Sequence, residues 1–191
     1  IIVAIIIAIP IVFLVNNSET PKDDVLQVGL VLPMSGPAAS LGEDFLNAFE
    51  LTYEKTGASF DYYVEDAQST SKGGVDAANK LFSTKDIDVL VSIASVIVMP
   101  LIDIAEREDV PLIGAAVARD DFATNSKNTF KVYPNSSVEA KLAANFAESK
   151  GYEKVGILTV NNAFGNTFNE VFEREFDGEI IVDEEFLVSD L

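Results

Sequence analysis

Cysteine and histidine are both missing from this chain of 191 residues. Without cysteine there is no disulfide, no thiolate nucleophile and no zinc site of the usual Cys/His kind. Without histidine, a Ser-His-Asp or Cys-His triad lacks its base. Basic residues are scarce: 13 Lys and Arg stand against 31 Asp and Glu, a net charge of -18. Nucleic acid is therefore excluded as a partner, because phosphate binding needs clustered Lys and Arg. An acidic surface of this kind keeps a protein soluble or suits a salty medium. The phosphate-loop patterns GxGxxG and GxxxxGK[ST] are absent, and Gly73-Gly74 near a helix start does not replace them.

What is present begins with an apolar run, IIVAIIIAIPIVFLV. It is shorter than the ~20 residues of a spanning helix. Because the chain starts at Ile1, the run is expected to be a signal-peptide remnant or a membrane anchor over residues 1–16. The alternative is a buried strand. No A-x-A cleavage pattern follows, which favours an uncleaved anchor. Its flank holds Glu19, Asp23 and Asp24 against Lys22, as suits the outer side of a membrane. Residues 17–25 read as a polar linker. Asn16-Asn17-Ser18 and Asn135-Ser136-Ser137 match the glycosylation pattern, which is common by chance.

From Val25 onward a strand-then-helix unit recurs. LQVGLVL, DYYVED, DVLVSIA, VPLIGAAV, FKVYP, VGILTV and EIIVDEEFLV read as strands. Helical spacing predicts helices over EDFLNAFELTYEKT (Phe45, Ala48, Phe49 and Thr52 on one stripe), GGVDAANKLFS, IVMPLIDIAERE, SVEAKLAANFAESKG and AFGNTFNEVFEREF. Pro100 is tolerated only near the first turns of its helix. This alternation predicts an α/β fold with a mostly parallel sheet and helices on both faces. The solid apolar runs VLVSIA and VGILTV suit strands buried on both sides.

Several residues at the strand ends are candidates for function. Ser40-Leu41-Gly42-Glu43 and Ser136-Ser137-Val138-Glu139 fit capping boxes. The small-residue loop Ser35-Gly36-Pro37-Ala38-Ala39 then leads into a helix at the strand's carboxyl end, where ligands sit in open α/β sheets. Ser95, between the third strand and the third helix, could meet an anion or serve as an ordinary cap. Phe164 stands at the mouth of the sixth strand, either to close over a small ligand or to join the core. Glu65 and Asp66 are adjacent on a strand and point to opposite faces, so they read as a cap or loop element and not as an acid-base pair.

The ordered set VGLVLPMSGPAASLGEDFLNAFEL, YVEDAQSTSKGGVDAANKL, VPLIGAAVARDDFAT and VGILTVNNAFGNTFNEVFEREF resembles the periplasmic solute-binding proteins of the leucine/isoleucine/valine type, the receptors of ABC importers. The resemblance covers Leu26 to Leu191, with VSDL resembling the start of the segment that leads into the family's next helix. It implies a type I periplasmic binding protein fold. Two doubly wound parallel-sheet lobes, residues 26–132 and an incomplete one over 133–191, would clasp a small, amino-acid-like solute. It carries ligand binding to Leu41, Ser95, Val117, Ala118 and Phe164. It implies no cofactor, no metal and no catalysis. It also implies an ABC permease as partner and an extracytoplasmic location. The sequence departs from the family at the same places. Val96-Ile97-Val98 replace a polar run, Ala118 stands where threonine is common, and Leu41 and Phe164 lack the family's aromatic or hydroxyl. Each lost hydrogen bond to a charged group costs about 1.5–3 kcal/mol, which points away from a zwitterionic amino acid and toward either a less polar solute or one held by residues not in this chain. The ectodomain of a sensor with the same fold is the alternative. An Asp/Glu hydrolase is disfavoured, because no same-face carboxylate pair is found.

Overall fold

The computed structural model describes residues 25–124 and 126–187. The apolar segment, most of the linker and VSDL lie outside the described residues. Strands β1 (Leu26–Leu32), β2 (Phe60–Asp66), β3 (Val89–Ile93), β4 (Leu112–Ala116) and β5 (Thr129–Lys131) form one sheet in the order β2-β1-β3-β4-β5. Every pairing in it is parallel. Helices α1 (Ala39–Thr56), α2 (Ser71–Thr84), α3 (Ser95–Val98) and α4 (Ile102–Glu108) connect the first four strands. A second, two-stranded parallel sheet joins β6 (Lys154–Val160) to β7 (Glu179–Phe186), with α5 (Ser136–Ser149) and α6 (Ala163–Glu175) beside it. The α/β class expected from the sequence is what the chain adopts.

The strand residues dictate the layers. Along β1 the side chains alternate between faces. Leu30 and Leu32 turn with Val91 and Ile93 toward Phe45, Leu46 and Phe49 of α1. Val31 turns with Leu90 and Leu112 toward Ala77, Ala78 and Leu81 of α2 and Ile97, Leu101 and Ile104 of the third helical stretch. Each fully buried leucine here contributes about 1.5–3 kcal/mol. The seam of α1 differs from the expected stripe. It follows Phe45, Phe49 and Tyr53: Phe45 stacks on Phe49, and Phe49 and Tyr53 meet Phe60 and Tyr62 edge-on at centroid distances of 4.9 to 5.4 Å for the closest ring pairs, while Ala48 and Thr52 face solvent. The i, i+4, i+8 row carries the rings, and ring burial outweighs that of small side chains.

The third helix is not continuous. Pro100 sits in a 3-10 turn, Met99–Leu101, between α3 and α4. A proline lacking its N–H is accommodated where the helix changes pitch. The second sheet also departs from expectation. The helices α5 and α6 cover one face with Ala140, Ala144, Phe172 and Phe176 against Ile157. The opposite face is open among the described residues, and Leu158 is 71% exposed. The apolar run VGILTV is therefore buried on one side only.

Two glycines set how closely helix and strand approach. A Cβ on Gly42, in the first turn of α1, would lie 2.3 Å from the Pro33 carbonyl oxygen; one on Gly165, in the first turn of α6, would lie 2.0 Å from that of Val160. Both obstacles are backbone atoms, so the helix itself would have to move. Gly42→Ala and Gly165→Ala are each expected to destabilise by about 1–3 kcal/mol, the range for overpacking. Urea unfolding of the two variants against the parent checks this; neutral variants would show that the helix starts are slack.

Candidate functional site

Parallel strands deliver their carboxyl ends to one edge, and the register aligns them. Leu32 of β1 pairs with Asp66 of β2, and Val31 pairs with Ser92 of β3. The Ser92 hydroxyl donates to the Val31 carbonyl at 2.7 Å, which satisfies a buried polar group.

Asp66 organises the first turn on this edge. Its Oδ1 accepts from the amides of Met34 (3.0 Å), Ser35 (3.1 Å) and Gln68 (2.7 Å), and its Oδ2 accepts from the Ser35 hydroxyl at 2.6 Å. Ser69 completes the brace. Its hydroxyl accepts from the Ala38 amide at 3.0 Å and donates to the Ser35 carbonyl at 2.7 Å. The loop 33–38 is thus tied from the neighbouring β2–α2 turn. The expected capping box does not form: α1 begins at Ala39, its N-cap is Ala38 without a side-chain cap, and Ser40 lies inside the first turn. The second box is likewise replaced. Asp120 Oδ1 accepts from the Ser136 hydroxyl and the Ser137 amide at 3.3 Å each.

Ala94, after β3, holds φ 63° and ψ 125°. A non-glycine residue in such a region costs of order 1–3 kcal/mol and is kept where surroundings fix it. The Ala94 amide donates to the Ala116 carbonyl, and the Ala94 carbonyl accepts from Ile97 and Val98. The register of β3 against β4 shifts at the same point, between Ser92 and Ile93. Ser71 of α2 donates to the Val96 carbonyl at 2.7 Å and steadies this turn.

On the other side, Asn162 caps α6. Its Oδ1 accepts from the amides of Phe164 (2.9 Å) and Gly165 (3.0 Å), which is the work of an N-cap asparagine. This places Phe164 opposite α3, and α3 and α6 are in contact. Between them lies a cavity of about 540 Å³, lined by Leu41, Ser71, Ala94, Ser95, Val96, Met99, Pro100, Ala116, Ala118, Arg119, Tyr133, Asn162 and Phe164. That volume is in the range of small-molecule sites.

Of the five residues singled out from the sequence, Leu41, Ser95, Ala118 and Phe164 share this wall. Val117 does not: it is fully buried in the core with Phe122 and Leu112, because successive residues beyond β4 alternate sides. Ala116 stands on the wall beside Ala118 instead. Sequence reasoning missed Arg119, Tyr133 and Asn162. Asn162 carried a signal, an asparagine directly before a helix. Tyr133 and Arg119 lie in irregular chain, where periodicity says nothing. Glu65 and Asp66 divide as two opposed residues should: Glu65 pairs with Lys80 at 2.8 Å, while Asp66 braces the loop.

A family model described as periplasmic binding protein matches residues 25–188. The chain belongs to this family. No curated protein sequence matches it. Among solved structures, this chain is similar to a solute-binding protein of an ABC transporter from Rhodopseudomonas palustris BisB5 in complex with 3,4-dihydroxybenzoic acid, with 22% identity and a TM-score of 0.80 over 85% of this chain and 47% of that one. It is also similar to a leucine binding protein from Thermotoga maritima (19%, TM-score 0.79, 87% and 50%). A third is an ABC-transporter solute-binding protein from R. palustris in complex with benzoate (24%, TM-score 0.78, 86% and 49%). This periplasmic binding protein spans about half the length of the solved structures it matches.

Burial alone would raise the Asp66 pKa, but the Ser35 hydroxyl and the amides of Gln68, Ser35 and Met34 outweigh it and hold the carboxyl below the ordinary range. A depressed carboxylate pKa stabilises the fold above the unfolded value, about pH 4, and the contribution is lost as pH falls through the folded value. Asp66→Asn is therefore expected to cost about 1–3 kcal/mol at pH 7. Its deficit against the parent in urea unfolding should shrink below about pH 4. A deficit independent of pH would show that the charge of Asp66 plays no part.

Proposed function

We propose that this periplasmic binding protein captures a small solute in the cavity described above, outside the cytoplasm, for an ABC importer. The lobes 26–132 and 133–191 act as the two jaws, and closure is a hinge motion of one against the other. The apolar segment 1–16 tethers the protein at the membrane, where the permease receives the closed form. Leu41, Ser95, Ala118 and Phe164 contact the solute, and Val117 stays in the core behind them.

One observation supports this reading most: residues as far apart in the chain as Leu41 and Phe164 converge on a single cavity of about 540 Å³. Its placement at the strand carboxyl ends agrees with where open α/β sheets bind ligands. The names of the solved relatives, which bind leucine or aromatic acids, agree with a small solute.

The test is thermal unfolding of the purified protein against a library of amino acids, organic acids and neutral solutes. A ligand present at about 100 times its Kd adds about 2.7 kcal/mol, which raises Tm by roughly 5 °C or more at this size. Ser95→Ala and Phe164→Ala should each weaken a true ligand about tenfold, near 1.4 kcal/mol. A library without a single stabilising solute would refute the proposal, as would hits indifferent to both substitutions.

A further inference from the structure

We propose that Arg119 receives the carboxylate of the solute, and that the cavity selects small monocarboxylic acids with an apolar body. This deepens the solute-binding reading and rests on it. Most of the wall is apolar, with Leu41, Val96, Met99, Ala118 and Phe164 among its side chains. Of its polar groups, several are already engaged. The Ser71 hydroxyl donates to the Val96 carbonyl, and the Asn162 side-chain oxygen caps α6. Glu139 lies near the Tyr133 hydroxyl, and its charge raises the phenol pKa.

Arg119 is the one charged residue on the wall among the described residues. Its side chain is one-third exposed. Asp121 meets it side-on: Nε donates to Oδ1 at 2.7 Å and Nη2 to Oδ2. That geometry uses one edge of the guanidinium. The outer nitrogen, Nη1, has no partner among the described residues. The backbone is fixed as well, since Lys131 Nζ donates to the Arg119 carbonyl at 2.9 Å. A planar guanidinium held from one edge presents a free edge in a defined direction, which suits a carboxylate.

The charge of the whole protein bears on which solutes reach the cavity. At a net charge of -18, an anionic solute is repelled from most of the surface. The Arg119–Asp121 pair carries no net charge, so what it offers at the cavity is the directed N–H donors of the free guanidinium edge. An ammonium group close to the carboxylate gains nothing here, because no Asp or Glu is on the described wall. The body of the solute then lies against Leu41, Val96, Met99 and Phe164.

The test is calorimetric titration of the purified full chain with two matched pairs: benzoate against benzamide, and 4-methylpentanoate against leucine. Each acid should bind at least about tenfold tighter than its partner. Arg119→Gln should bring the benzoate-to-benzamide ratio close to one, and Arg119→Lys, which keeps charge without the fork, should retain part of it. Circular dichroism melts establish that the variants fold; if R119Q does not, the wild-type rankings decide alone. Equal binding of benzamide, leucine binding as tightly as 4-methylpentanoate, or an unchanged ratio in folded R119Q would each overturn the assignment. If a neutral solute or an amino acid binds and the acids do not, the assignment falls while the solute-binding reading stands. If neither these probes nor any library solute binds, both fall.

Discussion

All five strands of the larger sheet run in one direction, and the rest of the molecule follows from that constraint. A parallel strand cannot return by a tight hairpin, so β1, β2 and β3 each leave through a turn into a helix at the same edge, and β4 leaves through a longer irregular stretch to β5. The pairing of Leu32 with Asp66 and of Val31 with Ser92 brings those exits to one level. Turns that are distant in sequence become neighbours, and their polar groups brace one another. Asp66 and Ser69 holding the loop after β1, and Ser71 holding the turn after β3, are the result.

The cavity inherits its character from the same arrangement. Its walls are turn residues and first-turn helix residues, small or apolar where the backbone must come close and polar where an amide needs a partner. The pairs Leu41-Gly42 and Phe164-Gly165 repeat one solution in two places. The glycine lets the helix start press against the preceding strand end, and the residue before it lines the cavity. The strained Ala94 belongs with them, a local cost accepted where β3 and β4 slip in register.

The layers were legible in the sequence because burial on both faces leaves solid Val, Ile and Leu runs, as in β1 and β3. Strand and helix order followed from the switch in period, and the strand-end location of Leu41, Ser95 and Phe164 from the parallel topology. Other features were not legible, for physical reasons. Whether serine or a distant aspartate caps a helix depends on tertiary neighbours, so the two boxes at Ser40 and Ser136 gave way to Ser69, Asp66 and Asp120. The choice between Val117 and Ala116 for the wall depends on which way the chain turns after β4, and one residue of slip reverses it. Arg119 and Tyr133 sit in chain with no period, where only coordinates reveal what faces the gap. The exposed side of β6 was hidden because an apolar run looks the same whether one or two faces are covered.

That exposed side has a practical meaning. Leu158, Val182 and Ile181 present greasy surface on a strand pair, the kind of surface that invites molecules to stick edge to edge or face to face. The surplus of acidic groups keeps copies apart through mutual repulsion. The sequence isoelectric point is about 4.1, so that protection fades as a solution is acidified toward it. Colloidal behaviour, and not only the fold, thus hangs on carboxylate ionisation: this protein is a substance best handled near neutral pH and modest ionic strength.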